Sequence, residues 1–257
     1  MDRLTLIPGQ VCFFYTSVEK SRDTALIQGF NNVLNEAEKQ KIYRLKSEKD
    51  RHARVVSRVF LKHILAGCTG HAAETIALTE NRYGKPALAP GITDLPVSFN
   101  LSHTTDLVVC AVTIGHDIGV AIENVQRWVD LSIADRFFSN QEAQAISQAD
   151  ACLKPSLFFR FWTLKEAYVK ATGRGLATGL DQFSFVMDRD DIQVVFHPAA
   201  QDDSGPDHHR QGDGPPRPTG HWQFFQFSPV PGYMAAVAVN KKTGPPLTLS
   251  AHPWVWG

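Results

Sequence analysis

Hydrophobic and polar positions recur with two different periods along the chain, which predicts a mixed α/β fold. Apolar residues at helical spacing predict helices over 36–45, over about 50–66 closed by Gly67, and over about 155–172 closed by Gly173. Runs rich in β-branched and aromatic residues predict strands over 10–17, 76–79, 97–101, 107–114, 118–125, 181–187, 191–196, 222–227 and 234–239.

Three local patterns refine this outline. The apolar runs 107–114 and 118–125 flank a Gly-His-Asp turn, which predicts a β-hairpin. The sequence from Ser139 to Glu142 matches a capping box at the start of another helix. In the predicted helix 50–66 the apolar positions follow one face, and the basic residues mark another, namely Arg51, Arg54, Arg58 and Lys62.

The pattern divides the chain into two halves of similar texture, 1–114 and 115–257. Within the second half, residues 197–221 are rich in Pro, Gly, Asp and His, and we expect a flexible loop there. Its His208–His209 pair is compatible with metal binding, but a solvated loop is the simpler interpretation unless further ligands join the pair.

The composition gives no indication of a nucleic-acid-binding, membrane or secreted protein. Lys plus Arg and Asp plus Glu both number 26, so no overall charge favours nucleic acid, and an anion site must come from a local cluster. No segment reaches the roughly 18–20 apolar residues of a membrane helix, and the N-terminal residues do not resemble a secretory leader. The four cysteines are widely spaced, which predicts reduced thiols. Together with the absence of a leader-like or membrane-helix pattern, this leads us to expect a cytoplasmic protein without membrane contact.

Two strand segments carry candidate chemistry. In VSFNLSHTTD (97–106) a strand ends in Asn100, Ser102 and His103, which can donate hydrogen bonds to an oxyanion, although an ordinary strand end would look the same. In DIGVAIENV (117–125) alternate side chains share one face, and Glu123 lies on an otherwise apolar strand. If buried, its carboxylate needs a cation or a hydrogen-bond network; the alternative is a strand-end glutamate that reaches solvent.

The third segment is FRFWTLKEAYVKATGRGL (159–176). Glu166 and Lys170 are four residues apart, the favourable order for an ion pair on a helix, although such pairs are usually surface features. An aromatic stripe that includes Trp162 predicts that one edge of the helix is packed. A strand carboxylate and a helix carboxylate could together hold one hard divalent cation, and Mg²⁺ suits such a site because it accepts one or two protein carboxylates plus phosphate oxygens.

The order and spacing of five segments resemble the phosphopantetheinyl transferases of the surfactin-synthetase-activating type. The segments are YGKP (83–86), FNLSHT (99–104), IGVAIE (118–123), RFFS (136–139) and FWTLKEAYVKATGRGL (161–176). The resemblance covers about residues 35–240. It implies an α/β (α+β) fold of two similar halves in a pseudo-two-fold arrangement, each a small, mostly antiparallel sheet packed with helices. It also implies transfer of the phosphopantetheine arm of coenzyme A to a serine of an acyl or peptidyl carrier protein by a monomeric enzyme.

The resemblance assigns coenzyme A contacts to five positions. Lys85 would contact the phosphates, and Ser102 and His103 would bind the pyrophosphate and 3′-phosphate region. Lys41 and Arg54 would meet the 3′-phosphate of the nucleotide. Coenzyme A is thus expected at the junction of the two halves.

The resemblance also assigns the chemistry. Glu123 and Glu166 would be ligands of Mg²⁺, or of Mn²⁺, and Glu166 with Lys170 would be catalytic. One departure concerns the first helix: the family often has a lysine three residues before Lys41, whereas this chain has Glu38, which weakens the role expected of Lys41.

A second departure lies in the strand itself. The family usually has a metal-binding aspartate where this chain has Ala121, and Asp117 is about 13 Å away along a strand, at about 3.3 Å per residue. Either the alanine is a deliberate substitution, which the intact flanking residues favour, or a natural variant fills the position with water. In both cases we expect reduced transferase activity with coenzyme A binding retained.

Two other functions fit parts of the pattern. An acyltransferase would also use coenzyme A, but it would need a base near the thiol, whereas these residues cluster around the diphosphate. A non-catalytic protein that binds coenzyme A or a carrier protein would tolerate the alanine.

Overall fold

The computed structural model describes residues 4–19, 29–30, 32–175, 179–188, 191–197, 221–241 and 244–256. The helices that carry the fold are α1 (Glu36–Tyr43), α2 (Glu48–Thr69), α3 (Ser132–Phe137), α4 (Asn140–Gln148) and α5 (Lys154–Thr172). The strands are β1 (Gln10–Ser17), β2 (Leu78–Glu80), β3 (Pro86–Leu88), β4 (Val97–His103), β5 (Leu107–Ile114), β6 (Asp117–Asn124), β7 (Phe183–Asp188), β8 (Asp191–Phe196), β9 (His221–Phe227), β10 (Tyr233–Lys241) and β11 (Thr248–Pro253). The loop expected over 197–221, with His208 and His209, lies outside the described residues except for its two ends.

Small sheets, mostly antiparallel, form the framework. One has the strand order β11-β1-β5-β4, in which only the β1–β11 pair is parallel. A second has the antiparallel order β6-β10-β9, and the pairs β2-β3 and β7-β8 form two short antiparallel sheets. This arrangement confirms the predicted mixed α/β class.

Three apolar clusters hold the layers together. The long helix α2 packs on one face of the four-stranded sheet, with Phe60 and Ile64 fully buried there. Helix α5 packs in the same way on β6 and β10, around Phe159 and Leu164. The third cluster lies between the two larger sheets and joins residues such as Val109 and Val120. Each half is therefore a small sheet covered by one long helix, and the sheets pack face to face.

The predicted hairpin of 107–114 with 118–125 is wrong. β5 pairs with β1 along one edge and with β4 along the other, so it has no free edge for β6. Gly115, with φ 75°, turns the chain out of the first sheet, and β6 pairs with β10 in the second. Two consecutive apolar runs look like a hairpin because the sequence does not reveal which strands take the edges.

The ends of α2 also differ from the prediction. The helix begins at Glu48 after Ser47, whose side chain accepts from the Asp50 amide, and it continues through Gly67 to a left-handed Gly70 with φ 78°. Inside the helix, the Gly67 carbonyl accepts a hydrogen bond of 3.1 Å from the Leu4 amide. α5, in contrast, ends at the predicted Gly173, and the capping box at Ser139 is confirmed.

Sequence patterns missed α3 and two strands. β3 has only three residues, which is too short to show a period. β11 adds in parallel to β1 from the far end of the chain, and Trp254 and Trp256, which follow it closely, pack against Phe60 of α2. The end of the predicted second half thus belongs to the sheet of the first, while the boundary at residue 115 stays a prediction. Among the described residues, no helix combines the length and the hydropathy that a bilayer crossing requires.

The cysteines are free thiols, as predicted. Cys12, Cys68 and Cys110 are buried, and Cys152 is exposed. Burial raises the pKa of Cys68 from 9.0 to about 12. The unfolded chain therefore releases this proton at a lower pH than the folded chain does.

We expect a fall in the free energy of unfolding between pH 9 and 12 that Cys68→Ala reduces. Because the folded pKa is the higher one, the thiol's contribution is complete below pH 9 and is lost as the pH rises towards 12. The slope for one such group is about 1.4 kcal/mol per pH unit. Urea unfolding at a series of pH values measures it, and parallel curves for the two proteins would refute the assignment.

Candidate active site

Strand β6 and helix α5 lie in direct contact, and this contact builds the site. A Cβ added to Gly119 would lie 2.0 Å from the Ala167 carbonyl oxygen and 2.3 Å from the Ala171 nitrogen, so only glycine permits the approach. Ala121 and Glu123 follow on the same face of the strand. The alternation predicted for 117–125 is therefore what aims these positions at the helix.

Glu123 is held by two donors from different elements. Its Oε1 accepts a hydrogen bond of 3.0 Å from Trp162 Nε1, and its Oε2 accepts one of 3.1 Å from Arg127 Nε. The guanidinium of Arg127 also lies 5.0 Å from the ring centre of Phe159. The side chain is 16% exposed, so the carboxylate is fixed but still accessible, and a carboxylate with two hydrogen bonds retains lone pairs for another partner.

Glu166 projects from the middle of α5 into the same space. Burial raises its pKa; the Lys170 ammonium, 3.9 Å from Oε2, opposes this rise, and the negative charge of Glu123 adds to it. The two glutamates, distant in sequence, are thus within electrostatic reach of each other. The predicted ion pair of Glu166 with Lys170 is confirmed.

Lys170 connects the helix to both sheets. Its ammonium donates to Ser102 Oγ at 2.8 Å and to the Val120 carbonyl at 3.1 Å. Burial lowers its pKa, while the charges of Glu166 and Glu123 raise it. Ser102 therefore lies beside α5.

Side chains occupy the edge of β6 that faces β4. The Val120 amide donates to Asn100 Oδ1 at 2.9 Å, and Lys85 donates to the Ile118 carbonyl at 3.0 Å and to the Ala171 carbonyl at 2.9 Å. Asn100, which we considered as an oxyanion donor, thus uses its oxygen to join the two sheets. Two protons of the Lys85 ammonium contact backbone, and its contact with a phosphate stays a prediction.

His103 and two basic side chains, Arg54 and Lys41, lie on the elements of the first half near this edge. His103 lies at the exposed end of β4, where partial desolvation, helped by the charges of Arg54 and Lys170, lowers its pKa. Arg54 lines a cavity of about 190 Å³ between α2, β4 and the turn before β3. An adjoining cavity of about 230 Å³ contains Arg54 again, together with Lys41.

The acidic residues near these cavities have structural partners. Glu38 accepts from the Lys62 ammonium at 3.0 Å and lies 3.6 Å from Arg58, and it also caps α1. Lys62 is fully buried rather than part of an exposed basic face, so it needs this counter-charge. Lys41 lies 3.3 Å from Glu80 at the surface.

Ala121 is fully buried between Gly119 and Glu123, in the cluster that packs on α5. Among the described residues, no group of three or more His, Cys, Asp and Glu side chains could hold a metal ion. Two carboxylates with lone pairs to spare nevertheless fit Mg²⁺, because this ion often binds one or two carboxylates and takes its other ligands from phosphate and water.

A buried ion pair, Glu142 with Lys165, joins α4 to α5, and the sequence analysis did not predict it. The Lys165 ammonium is 2.8 Å from Glu142 Oε2, with side-chain exposures of 0% and 1%. It also donates to the carbonyls of Leu180 and Phe183. The capping box at Ser139 was the only signal that involved Glu142.

The chain is similar to known 4′-phosphopantetheinyl transferases along most of its length. The family model described as the 4′-phosphopantetheinyl transferase superfamily matches residues 113–215, and the one described as 4′-phosphopantetheinyl transferase, N-terminal, matches 23–115. The 4′-phosphopantetheinyl transferase Sfp of Bacillus subtilis is 30% identical over 162 residues, 63% of this chain and 70% of the relative.

Two further relatives are also 4′-phosphopantetheinyl transferases. The 4′-phosphopantetheinyl transferase gsp of Aneurinibacillus migulanus is 27% identical over 71% of this chain and 73% of its own length. HetI of a Nostoc strain is 38% identical over 47% of this chain and 51% of its own length. Among solved structures, the holo-[acyl-carrier-protein] synthase of Thermotoga maritima matches with a TM-score of 0.36 and 17% identity, over 49% of this chain and 64% of that chain, a likeness too low for inference.

Proposed function

The chain belongs to the 4′-phosphopantetheinyl transferase superfamily, and on that premise we propose that it transfers the phosphopantetheine arm of coenzyme A to a serine of an acyl or peptidyl carrier protein. The other product is adenosine 3′,5′-bisphosphate. The observation that carries the proposal is the convergence of Glu123, Glu166 and Lys170 beside Ser102 at the junction of the two sheets. Both sheets that form this junction come from one chain, which is in keeping with a monomer.

Coenzyme A would bind above this junction. Its phosphates are anions, and Arg54 and Lys170 supply the positive field, with the Ser102 hydroxyl and the His103 imidazole as further hydrogen-bonding groups. Lys41 would have to exchange Glu80 for phosphate, and Lys85 has one ammonium proton left for this role.

Glu123 and Glu166 would hold Mg²⁺, or Mn²⁺, between the chain and the diphosphate. The bound ion would supply electrostatic stabilisation of the phosphoryl group during transfer. The hydrogen bonds from Trp162 and Arg127 keep Glu123 oriented for this task.

The side chains of the protein itself would move the proton and balance the charge. Glu166 accepts the proton of the carrier serine. The serine oxygen forms the new bond to the phosphorus that bears the pantetheine arm, and the bridging bond of the diphosphate breaks. Lys170 neutralises the charge that develops on the departing bisphosphate.

The alanine at position 121 is also compatible with a second function, that of a non-catalytic binding protein. Without a third carboxylate, the protein could bind coenzyme A or a carrier protein and not react. An acyltransferase would release free coenzyme A, so the small product distinguishes that reaction from phosphopantetheine transfer.

Incubation with an apo-carrier protein, coenzyme A and Mg²⁺ tests the proposal. We expect the carrier to gain the mass of phosphopantetheine, with one adenosine 3′,5′-bisphosphate released per carrier. Glu166→Gln keeps the size of the side chain but removes the base, and we expect the rate to fall by about 10²–10³-fold. Carriers of the acyl and peptidyl classes that stay unmodified while coenzyme A still binds would favour the non-catalytic function.

A further inference from the structure

The turn 81–85, which belongs to the first half of the chain, contacts the C-terminal end of the catalytic helix. Asn81 Nδ2 donates to the Gly173 carbonyl at 3.0 Å. Lys85 donates to the Ala171 carbonyl at 2.9 Å and to the Ile118 carbonyl of β6 at 3.0 Å. One short turn therefore binds the end of α5 and the strand that α5 lies on.

These contacts supply hydrogen-bond donors to the C-terminal carbonyl groups of α5. The last carbonyls of a helix have no partner within it, and a positive group beside them is favourable. Gly173 has φ 67°, and a Cβ there would lie 3.2 Å from both Asn81 Nδ2 and Lys85 Cδ. The glycine thus lets the turn approach closely enough to satisfy the carbonyls.

The turn is itself held in shape by Asn81. Its Oδ1 accepts from the amides of Tyr83 and Lys85, both at 2.9 Å. The Asn81 amide donates to the Lys85 carbonyl at 3.0 Å, and Gly84 adopts φ 83°. Because the turn is already ordered, it loses little conformational entropy when it hydrogen-bonds to the helix.

We infer that Asn81 and Lys85 are positioning residues, a latch that fixes the last turn of α5 so that Lys170 meets Ser102. The carbonyl that Lys85 holds belongs to the residue next to Lys170, and Glu166 lies one helical turn earlier. The catalytic consequence of the latch rests on the proposed function, whereas its hold on the helix does not.

Two variants separate the latch from a direct phosphate contact. Lys85→Met keeps the stem and removes the ammonium, and Asn81→Asp keeps the oxygen that shapes the turn but removes the donor to Gly173. Arg82→Met is the matched control, because Arg82 lies in the same turn and stacks on Tyr83 instead of the helix. For each protein, hydrogen exchange at the amides of 171–173, the dissociation constant for coenzyme A and kcat are measured.

We expect exchange at these amides to become about tenfold faster in Lys85→Met and Asn81→Asp, because each loses a hydrogen bond that anchors the helix end. We expect kcat to fall by a similar factor in both variants and Arg82→Met to match the parent; in Asn81→Asp, which removes no proposed phosphate contact, the dissociation constant for coenzyme A should change less than about twofold. Unchanged exchange would overturn the latch. An unchanged kcat in Asn81→Asp would overturn the positioning role, and a Lys85→Met protein with weaker coenzyme A binding but unchanged kcat would show that Lys85 acts as a phosphate ligand only. If the two variants exchange faster than the parent but the parent itself transfers nothing, the latch is supported and the proposed function is refuted.

Discussion

Replacement of Ala121 by aspartate is expected to raise the rate of phosphopantetheine transfer by about 10²–10³-fold, the usual effect of one well-placed electrostatic group. Ala121 lies between Gly119 and Glu123 on the face of β6 that α5 covers. An aspartate there would add a third carboxylate beside Glu123 and Glu166. Initial rates at saturating coenzyme A, Mg²⁺ and carrier protein measure the change.

Ala121→Asn is the control for this gain. It has nearly the size of aspartate but no charge, so it should stay close to the parent rate. Equal rates for the parent and Ala121→Asp would show that the alanine is not a defect of the site.

The same variant should also acquire a stability that depends on the ion. Ala121 is fully buried, and a third negative charge near two others costs free energy unless a cation balances it. We therefore expect Ala121→Asp to unfold at a lower temperature than the parent in a chelator and to gain more from added Mg²⁺. This result distinguishes an improved site from a misfolded variant.

Glu142→Gln is expected to lower the free energy of unfolding by about 3–5 kcal/mol, the cost of leaving a buried charge unpaired. Lys165 and Glu142 are 2.8 Å apart, and their side chains are 0% and 1% exposed. Burial lowers the pKa of Lys165, and Glu142 is the main group that opposes this shift. Without the carboxylate, the ammonium has no anionic partner among these contacts and keeps neutral ones, such as the carbonyls of Leu180 and Phe183 and the ring of Phe183. Urea unfolding measures the loss.

A surface pair with the same separation provides the control. Lys39 and Glu36 also lie 2.8 Å apart, but Glu36 is 80% exposed. Glu36→Gln should cost less than about 1 kcal/mol, because water already solvates both charges. Similar losses for Glu142→Gln and Glu36→Gln would contradict the role given to burial.

Local patterns predicted the parts of this fold that depend on neighbouring residues. The period of α5, its end at Gly173 and the alternation along β6 all reflect contacts within a few residues, so the sequence reveals them. The partner of each strand does not follow from such patterns. The pairing of β5 with β1 and β4, and of β11 with β1, depends on segments far apart in the chain, and for that reason the predicted hairpin was wrong.

The site was predictable to the extent that a family pattern carries it. Glu123, Glu166 and Lys170 stand in distant segments, and no period in the sequence brings them together. The family resemblance grouped these three residues, and in the structure they lie at one junction. The buried lysines escaped prediction because a lysine in a sequence looks like a surface residue. Only the folded chain shows that Lys62 and Lys165 are satisfied inside it.

The most direct test of the cation site is a crystal structure of this chain with coenzyme A and Mn²⁺, with the ion identified by its anomalous scattering. We expect one ion coordinated by an oxygen of Glu123, an oxygen of Glu166 and the diphosphate, with Mg²⁺ in the same place at about 2.0–2.1 Å from its ligands. An ion bound elsewhere, or a diphosphate that lies away from both carboxylates, would contradict it.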